Sequence, residues 1–280
     1  MKASKSVIIL VDVIVPLCIF FVSEIVCTIG YFAFGFSFGI IDRDSWDPNA
    51  SDYMSAVGQF VSPALAIASV LTIILVLVWK RIRHQVIVGE LASLHISFPK
   101  VLLLILGVFL GIYATDIINE MVDLPNIFEE MFSSMCLTVM GSISIGILGP
   151  IAEEYVFRSA MLGGMLKNGV GQWTAILVSA AVFGVVHGNP AQIPFAFIVG
   201  ILLGLLYVRT GNIIPCIVCH VINNSFSVFL MSQFADQPDL KIADLMGSTW
   251  LPVVLAVVAA AGCYAIFRPS LASTGGESEG

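Results

Sequence analysis

The sequence predicts an all-α, polytopic transmembrane helix bundle of about eight spans, with both termini in the cytoplasm. Of the 280 residues, 58% are apolar and only 11% are Asp, Glu, Lys or Arg, whereas soluble domains carry about 25% charged residues. The mean hydropathy is +1.00, which excludes a soluble enzyme and a disordered chain. The formal charge of −7 is summed over both sides of a membrane, so it does not point to nucleic acid, and we expect no nucleic-acid partner.

Apolar runs of about 20 residues, the length that crosses a bilayer as a helix, define the predicted elements in order. The eight candidates are residues 7–30, 56–79, 101–118, 131–151, 172–187, 193–208, 213–234 and 248–267. The fourth is predicted to continue past Pro150 as a helix to about residue 166. The fifth and sixth are short enough to be tilted or re-entrant. We expect residues 1–267 to form one transmembrane domain and residues 268–280 to form a short disordered cytoplasmic tail.

The positions of Lys and Arg set the predicted orientation, because cytoplasmic loops are enriched in these residues. An eight-span arrangement places nine basic residues on one side of the membrane: Lys2, Lys5, Lys80, Arg81, Arg83, Lys100, Lys167, Arg209 and Arg268. Arg43 and Lys241 fall on the other side, where the loops are rich in Asp. Segment 83–98 is too polar to span, and we expect it to lie along the cytoplasmic interface.

Two small-residue motifs predict close helix packing. Gly107-xxx-Gly111 and Gly200-xxx-Gly204 each place two glycines on one helix face, which lets a neighbouring helix approach closely. We expect this packing inside the bundle rather than at a dimer interface.

Charged side chains inside predicted spans indicate where function lies, because each costs at least about 2–3 kcal/mol to bury in hydrocarbon. The densest group is Glu153, Glu154 and Arg158. Neighbouring residues of an α-helix point about 100° apart, so the two carboxylates have different surroundings. Glu154 and Arg158, four residues apart, are predicted to pair across one turn. This pairing would leave Glu153 free to act.

Two further motifs place histidines in predicted spans. His187 follows Phe183 by four residues at a helix end, and His220 precedes Asn224 by four, which puts the latter two side chains on one helix face. Counting about 1.5 Å per residue from the cytoplasmic ends places both histidines and Glu153 at compatible depths in a core of about 30 Å. The sequence therefore allows one buried site built from three helices.

Such a site could hydrolyse an acyl bond by either of two routes. In the first, Glu153 is the general base for a water molecule, and His220 and Asn224 donate hydrogen bonds to the oxyanion. In the second, Glu153, His187 and His220 bind a divalent metal such as Zn²⁺ and leave one position open for water. Both routes are compatible with the residues present.

Taken together, the motifs resemble those of the CPBP intramembrane proteases, which include the type II CAAX prenyl endopeptidases and the Abi proteins linked to bacteriocin self-immunity. The resemblance covers about residues 145–230 and rests on Glu153-Glu154-xxx-Arg158, Phe183-xxx-His187 and His220-xxx-Asn224. It implies that Glu154 is a supporting or second catalytic carboxylate held by Arg158. It also implies that Phe183 shapes the pocket.

The resemblance further implies an intramembrane endopeptidase in which Glu153 and His187 activate water while His220 and Asn224 bind the oxyanion. Both a metalloprotease and a metal-free glutamate mechanism have been argued for this family, and the motifs suit either. The implied partners are the lipid bilayer and a membrane-associated peptide or protein. A prenylated tail, a bacteriocin or peptide precursor and a signalling peptide all fit the same core. We expect an integral protein of a bacterial plasma membrane, and the sequence indicates no oligomeric state.

Two other functions stay open. A proton- or ion-coupled transporter is suggested by the additional acidic residues Asp12, Glu24, Asp116 and Glu120, although no repeated broken-helix pattern in the two halves supports it. A non-catalytic membrane scaffold or immunity protein would not depend on Glu153 or the two histidines.

Overall fold

The fold is that of a computed structural model, which describes residues 5–41, 52–83, 94–122, 124–235, 237 and 241–272. These residues form helices and no strand, so the predicted all-α class is confirmed for the described part of the chain. The helices in chain order are α1 (Lys5–Ser37), α2 (Tyr53–Ile82), α3 (Phe98–Val122), α4 (Glu129–Cys136), α5 (Val139–Lys167), α6 (Gln172–Val186), α7 (Ile193–Thr210), α8 (Ile214–Gln233), α9 (Ile242–Leu245) and α10 (Trp250–Ala272).

The number of candidate spans among the described residues is six, or seven if α4 and α5 form one broken span. The six are α1, α2, α3, α7, α8 and α10. The run predicted at 172–187 forms α6, a helix of 15 residues. Its length is about 23 Å, less than a hydrocarbon core of about 30 Å. The chain is a multi-pass integral membrane protein, as predicted, while the count of eight and the cytoplasmic termini stay predictions.

The span predicted at 131–151 is bent rather than straight, because α4 and α5 meet at an angle of 104°. At the bend, Thr138 has an extended backbone, with φ −106° and ψ 147°. Its Oγ1 accepts a hydrogen bond of 3.0 Å from the amide of Gly141. This arrangement is an N-cap, which begins α5 as a new helix. The predicted continuation of that helix past Pro150 is confirmed, since α5 ends at Lys167.

We expect Thr138→Ala to lower the free energy of unfolding by about 1 kcal/mol, because the Gly141 amide loses its cap. Thr138→Ser keeps the hydroxyl and should stay within a few tenths of a kcal/mol of the parent, by the similar capping strength of Ser and Thr. Unfolding in mixed detergent micelles measures both. Equal losses in the two variants would show that the hydroxyl does not stabilise the bend.

The last helix, α10, continues to Ala272. Residues 268–272, which were predicted to belong to the disordered tail, are therefore helical. Extending an existing helix adds one hydrogen bond for each residue fixed and is far easier than starting a new helix. Residues 273–280 lie outside the described residues. The same is true of 84–93, which make up most of the predicted interfacial segment, and of 42–51 in the first acidic loop.

The chain divides into two compact units. The single domain predicted over residues 1–267 stays a prediction. Unit 1 consists of the described residues within Met1–Gln85, Phe128–Val156 and His220–Pro238. Unit 2 consists of those within Val86–Ile127, Phe157–Cys219 and Asp239–Gly280. The chain passes from one unit to the other inside α5 and again inside α8.

In unit 1, α1 packs along α2, and an ion pair joins them at the basic end of α2. A guanidinium nitrogen of Arg83 lies 3.1 Å from Oδ1 of Asp12, whose side chain is fully buried. The guanidinium carbon of Arg83 also lies 5.5 Å from the ring centroid of Trp79. A buried carboxylate needs such a partner, so Asp12 has a structural role in this unit.

In unit 2, both small-residue motifs lie at helix contacts. A Cβ atom added at Gly107 would lie 2.9 Å from the ring of Phe267 on α10. One added at Gly200 would lie 3.0 Å from Cα and Cβ of Ala180 on α6. Such distances are too short for any residue larger than glycine without movement of a neighbour. The prediction that these motifs pack helices within the bundle is confirmed.

Candidate active site

In unit 1, α5 and α8 bring two carboxylates and an imidazole together. Nδ1 of His220 lies 2.8 Å from Oε1 of Glu154, and Nε2 of the same ring lies 3.6 Å from Oε2 of Glu153. The side chain of Glu154 is fully buried, that of His220 is 5% exposed and that of Glu153 is 20% exposed. One imidazole therefore lies between the two adjacent carboxylates, a contact that the sequence did not predict.

The hydrogen bond to Glu154 determines which nitrogen of His220 carries a proton. An ionised carboxylate can only accept hydrogen bonds, so Nδ1 is protonated and donates to Glu154. In the neutral ring Nε2 is then unprotonated, and in the charged ring it carries an N–H that points toward Glu153. Either form of the ring therefore directs Nε2 toward the carboxylate of Glu153.

Helix α5 changes its pitch at this site. It is α-helical over Gly149–Glu153 and π-helical over Glu154–Leu162. A π-helical turn contains more residues than an α-helical turn and occurs frequently at functional sites. The predicted pairing of Glu154 with Arg158 was based on α-helical spacing. That pairing stays a prediction, whereas the hydrogen bond between Glu154 and His220 is observed.

Asn224 lies one turn after His220 and contacts the backbone of α5. Its Nδ2 donates a hydrogen bond of 3.3 Å to the carbonyl oxygen of Ile145. Its Oδ1 accepts one of 3.3 Å from the side-chain amide of Asn223. A primary amide has two N–H groups, so the second can serve a substrate oxygen. The oxyanion role of Asn224 stays a prediction.

In unit 2, Phe183 lies at the centre of a second group of site residues. Its ring is 1% exposed, and the guanidinium carbon of Arg158 lies 4.4 Å from the ring centroid. The rings of Phe157 and His187 make edge contacts with it at centroid distances of 5.2 and 5.0 Å. A cation over an aromatic face is an attractive contact. Phe183 thus packs against both Arg158 and His187, and its predicted role in shaping the pocket stays a prediction.

His187 lies at the end of α6, which is terminated by Gly188 in the left-handed conformation, with φ +62°, a common helix ending. Its Nδ1 lies 2.8 Å from the carbonyl oxygen of Phe183. A carbonyl oxygen can only accept, so Nδ1 is protonated and Nε2 of the neutral ring is not. His187 and His220 are therefore held in the same way, with Nδ1 donating.

The loop after His187 is anchored by Asn189, which is fully buried. Its Nδ2 donates to Oδ1 of Asn126 at 2.7 Å, and its Oδ1 accepts from the amide of Ile127 at 3.3 Å. This contact could not be seen in the sequence, because both asparagines occur in short polar loops where turn formation is the usual explanation.

We expect Asn189→Ala to lower the free energy of unfolding by about 1–3 kcal/mol, because two hydrogen bonds are lost at a buried position. Asn189→Asp retains an oxygen that can accept from Ile127, but it places a second acceptor against Oδ1 of Asn126 at a buried position and should cost at least as much as Asn189→Ala. Detergent unfolding curves of the two variants and the parent test this. A loss in Asn189→Ala no larger than the experimental error would contradict the anchoring role.

Two of the three predicted metal ligands, Glu153 and His220, lie in unit 1. Two atoms at tetrahedral positions about 2.1 Å from a Zn²⁺ ion are separated by about 3.4 Å, and Nε2 of His220 and Oε2 of Glu153 are 3.6 Å apart. Within either unit, no three described His, Cys, Asp or Glu side chains form a group that could hold a metal ion. The third predicted ligand, His187, belongs to unit 2, so the metal set stays a prediction.

Comparisons with known proteins support the resemblance seen in the motifs. Residues 135–226 match the family described as Type II CAAX prenyl endopeptidase Rce1-like. The chain is 33% identical over 89 residues to the membrane-embedded CAAX protease MroQ of Staphylococcus aureus (strain USA300), a match covering 30% of this chain and 36% of that protein. No solved structure gives a significant match.

Two further relatives match at similar levels. The chain is 28% identical over 109 residues to the protein YdiL of Bacillus subtilis (strain 168), a match covering 38% of this chain and 44% of that protein. It is 30% identical over 105 residues to CAAX prenyl protease 2 of Homo sapiens, a match covering 30% of this chain and 32% of that protein.

The matches thus span less than half the length of each relative. The family match includes the part of the chain that carries Glu153, Glu154, His187, His220 and Asn224. The predicted resemblance to the type II CAAX prenyl endopeptidases is confirmed over residues 135–226.

Proposed function

We propose that the chain is an intramembrane endopeptidase that hydrolyses a peptide bond of a membrane-associated peptide or protein. The observation that carries this proposal is the buried imidazole of His220, hydrogen-bonded to Glu154 at 2.8 Å and facing Glu153 at 3.6 Å. Buried carboxylates and histidine in an apolar helix bundle are costly to retain. A carboxylate next to an oriented imidazole can move the protons that amide hydrolysis requires.

In the proposed reaction, Glu153 accepts a proton from a water molecule as the water oxygen bonds to the carbonyl carbon of the substrate. The charge that develops on the carbonyl oxygen is stabilised by the Nε2–H of protonated His220 and by the second N–H of Asn224. Glu153 then gives the proton to the amide nitrogen, and the C–N bond breaks. Products are a carboxylic acid and an amine.

Supporting residues keep these groups oriented. Glu154 holds His220 through Nδ1 and stabilises its protonated form, as a buried carboxylate does for the histidine of a hydrolase triad. The resemblance assigns His187 to water activation with Glu153, and its unprotonated Nε2 suits that role. If Glu153, His187 and His220 bind a divalent ion such as Zn²⁺, the ion would supply Lewis-acid polarisation.

The proposal is tested with the purified protein in proteoliposomes and a library of membrane-delivered peptides. We expect the parent protein to cleave members of the library and Glu153→Ala to cleave none. Glu130→Ala, which removes an exposed carboxylate of α4, is the matched control and should retain cleavage. Equal cleavage by the parent and Glu153→Ala would exclude the catalytic assignment.

The transporter hypothesis loses part of its support in the structure. Asp12 forms an ion pair with Arg83, and Oε1 of Glu120 accepts a hydrogen bond of 2.9 Å from the amide of Ile242 at the start of α9. Structural partners thus account for two of the four acidic residues that suggested transport. Substrate uptake that disappears with the proton gradient would favour a transporter, and function retained without Glu153, His187 and His220 would favour a scaffold.

A further inference from the structure

Helix α5 contains a proline just before its two carboxylates, and this proline lacks the amide hydrogen that a helix uses. The preceding residue, Gly149, donates its amide to the carbonyl of Ser144, five residues back. In that register an amide at position 150 would pair with the carbonyl of Ile145, and in α-helical register with that of Gly146. Pro150 can donate to neither. The backbone of α5 therefore lacks one donor at this point.

Helix α8 supplies side-chain donors to the same two carbonyl oxygens. Oγ of Ser225 donates to the carbonyl of Gly146 at 3.0 Å. Nδ2 of Asn224 donates to the carbonyl of Ile145 at 3.3 Å. The contact is close, since a Cβ atom added at Gly146 would lie 3.2 Å from Oγ and 3.4 Å from Cα of Ser225. The absent amide of Pro150 and the two donors of α8 thus form one complementary contact.

This contact fixes α8 at a point close to the proposed catalytic histidine. Ser225 follows His220 by five residues on the same helix, and Pro150 precedes Glu153 by three residues on α5. A shift of α8 at Ser225 therefore moves His220 relative to both carboxylates. We propose that Ser225 is a positioning residue, which uses the carbonyl of Gly146 to hold His220 between Glu153 and Glu154.

Kinetic measurements test the proposal. This test rests on the proposed peptidase activity. We expect Ser225→Ala to lower kcat by on the order of ten- to a hundredfold, the effect of small displacements at a catalytic site, with little change in KM. Ser227→Ala is the matched control, because Ser227 lies on the same helix and its hydroxyl donates only within that helix, to the carbonyl of Asn223 at 3.1 Å. It should keep kcat.

A double-mutant cycle with Pro150→Ala tests whether the two helices act through one contact. In α-helical register, the amide of an alanine at position 150 competes with Ser225 for the carbonyl of Gly146. The fold-loss in kcat caused by Ser225→Ala should therefore be smaller in the Pro150→Ala background. Equal fold-losses in the two backgrounds would overturn the assigned contact, because independent sites are additive.

A spectroscopic readout separates this inference from the proposed function. Nitrogen-15 labelling of the four histidines, with His220 assigned by its absence in His220→Gln, reports its ring nitrogens directly. We expect Ser225→Ala to shift the His220 signals and Ser227→Ala to leave them unchanged. Unchanged His220 signals in Ser225→Ala would overturn the positioning role, whether or not the protein cleaves peptides. A shift without any cleavage by the parent would support the positioning role and reject the peptidase.

Discussion

Replacement of Glu153 by glutamine is expected to lower kcat for peptide hydrolysis by on the order of 10²–10⁴-fold, the contribution of a general base. The amide has nearly the same shape as the carboxylate but cannot accept the proton of water. Among the residues that the structure describes, the buried Oε2 of Glu153 has no hydrogen-bond partner, and it lies 3.6 Å from Nε2 of His220. Its loss should therefore remove a proton acceptor without removing a hydrogen bond that stabilises the unit.

Initial rates on a cleavable membrane peptide measure this effect, with Glu130→Gln on the exposed surface of α4 as the control. Little change is expected in KM, because an interaction made only in the transition state affects kcat and kcat/KM equally. A loss confined to KM would mean that Glu153 binds substrate and does not carry the proton.

The second large effect is expected at Glu154. Glu154→Gln should lower kcat by on the order of 10²–10⁴-fold as well, since the protonated form of His220 loses its charge partner and the tautomer of the ring is no longer fixed. This prediction follows directly from the hydrogen bond of 2.8 Å between Oε1 of Glu154 and Nδ1 of His220. Glu154→Asp retains the charge on a shorter side chain, and we expect it to fall between the parent and Glu154→Gln.

Comparison of Glu154→Gln with His220→Gln in the same assay tests whether the two residues act as a unit. If they do, the double variant should be little worse than either single variant, because effects within one unit are strongly non-additive. Multiplicative losses would contradict the assignment of Glu154 as the partner of His220.

The membrane class and the path of most helices could be predicted because hydropathy alone determines them. The continuation of α5 past Pro150 and the packing of Gly107 and Gly200 followed from patterns within single helices. The bend at Thr138 was missed because a threonine in an apolar run gives no hydropathy signal, although its capping hydroxyl sets the start of α5. The bounds of α6 agree with the predicted run 172–187 to within one residue, since His187 and Gly188 end that helix.

The residues of the candidate site could be predicted from the sequence, but the contacts between them could not. Glu153, Glu154 and His220 attracted attention because each is a polar group in an apolar segment. The partner of Glu154 was assigned from spacing within α5 and stays a prediction, whereas its hydrogen bond to His220 joins two helices and could not be seen in the sequence. The role of Ser225 could not be seen either, since its partner is a backbone carbonyl on another helix. A proline four or five residues after that carbonyl was the available signal.

The most direct test of a water-dependent peptidase is hydrolysis in water enriched with oxygen-18. A membrane peptide is incubated with the parent protein and with Glu153→Gln, and the mass of the product that carries the new carboxyl terminus is measured by mass spectrometry. If Glu153 activates water, the parent should yield a carboxyl group that contains one oxygen-18 atom, and Glu153→Gln should yield almost none of this product. Intact peptide with the parent protein, or labelled product formed equally fast by Glu153→Gln, would contradict the central claim.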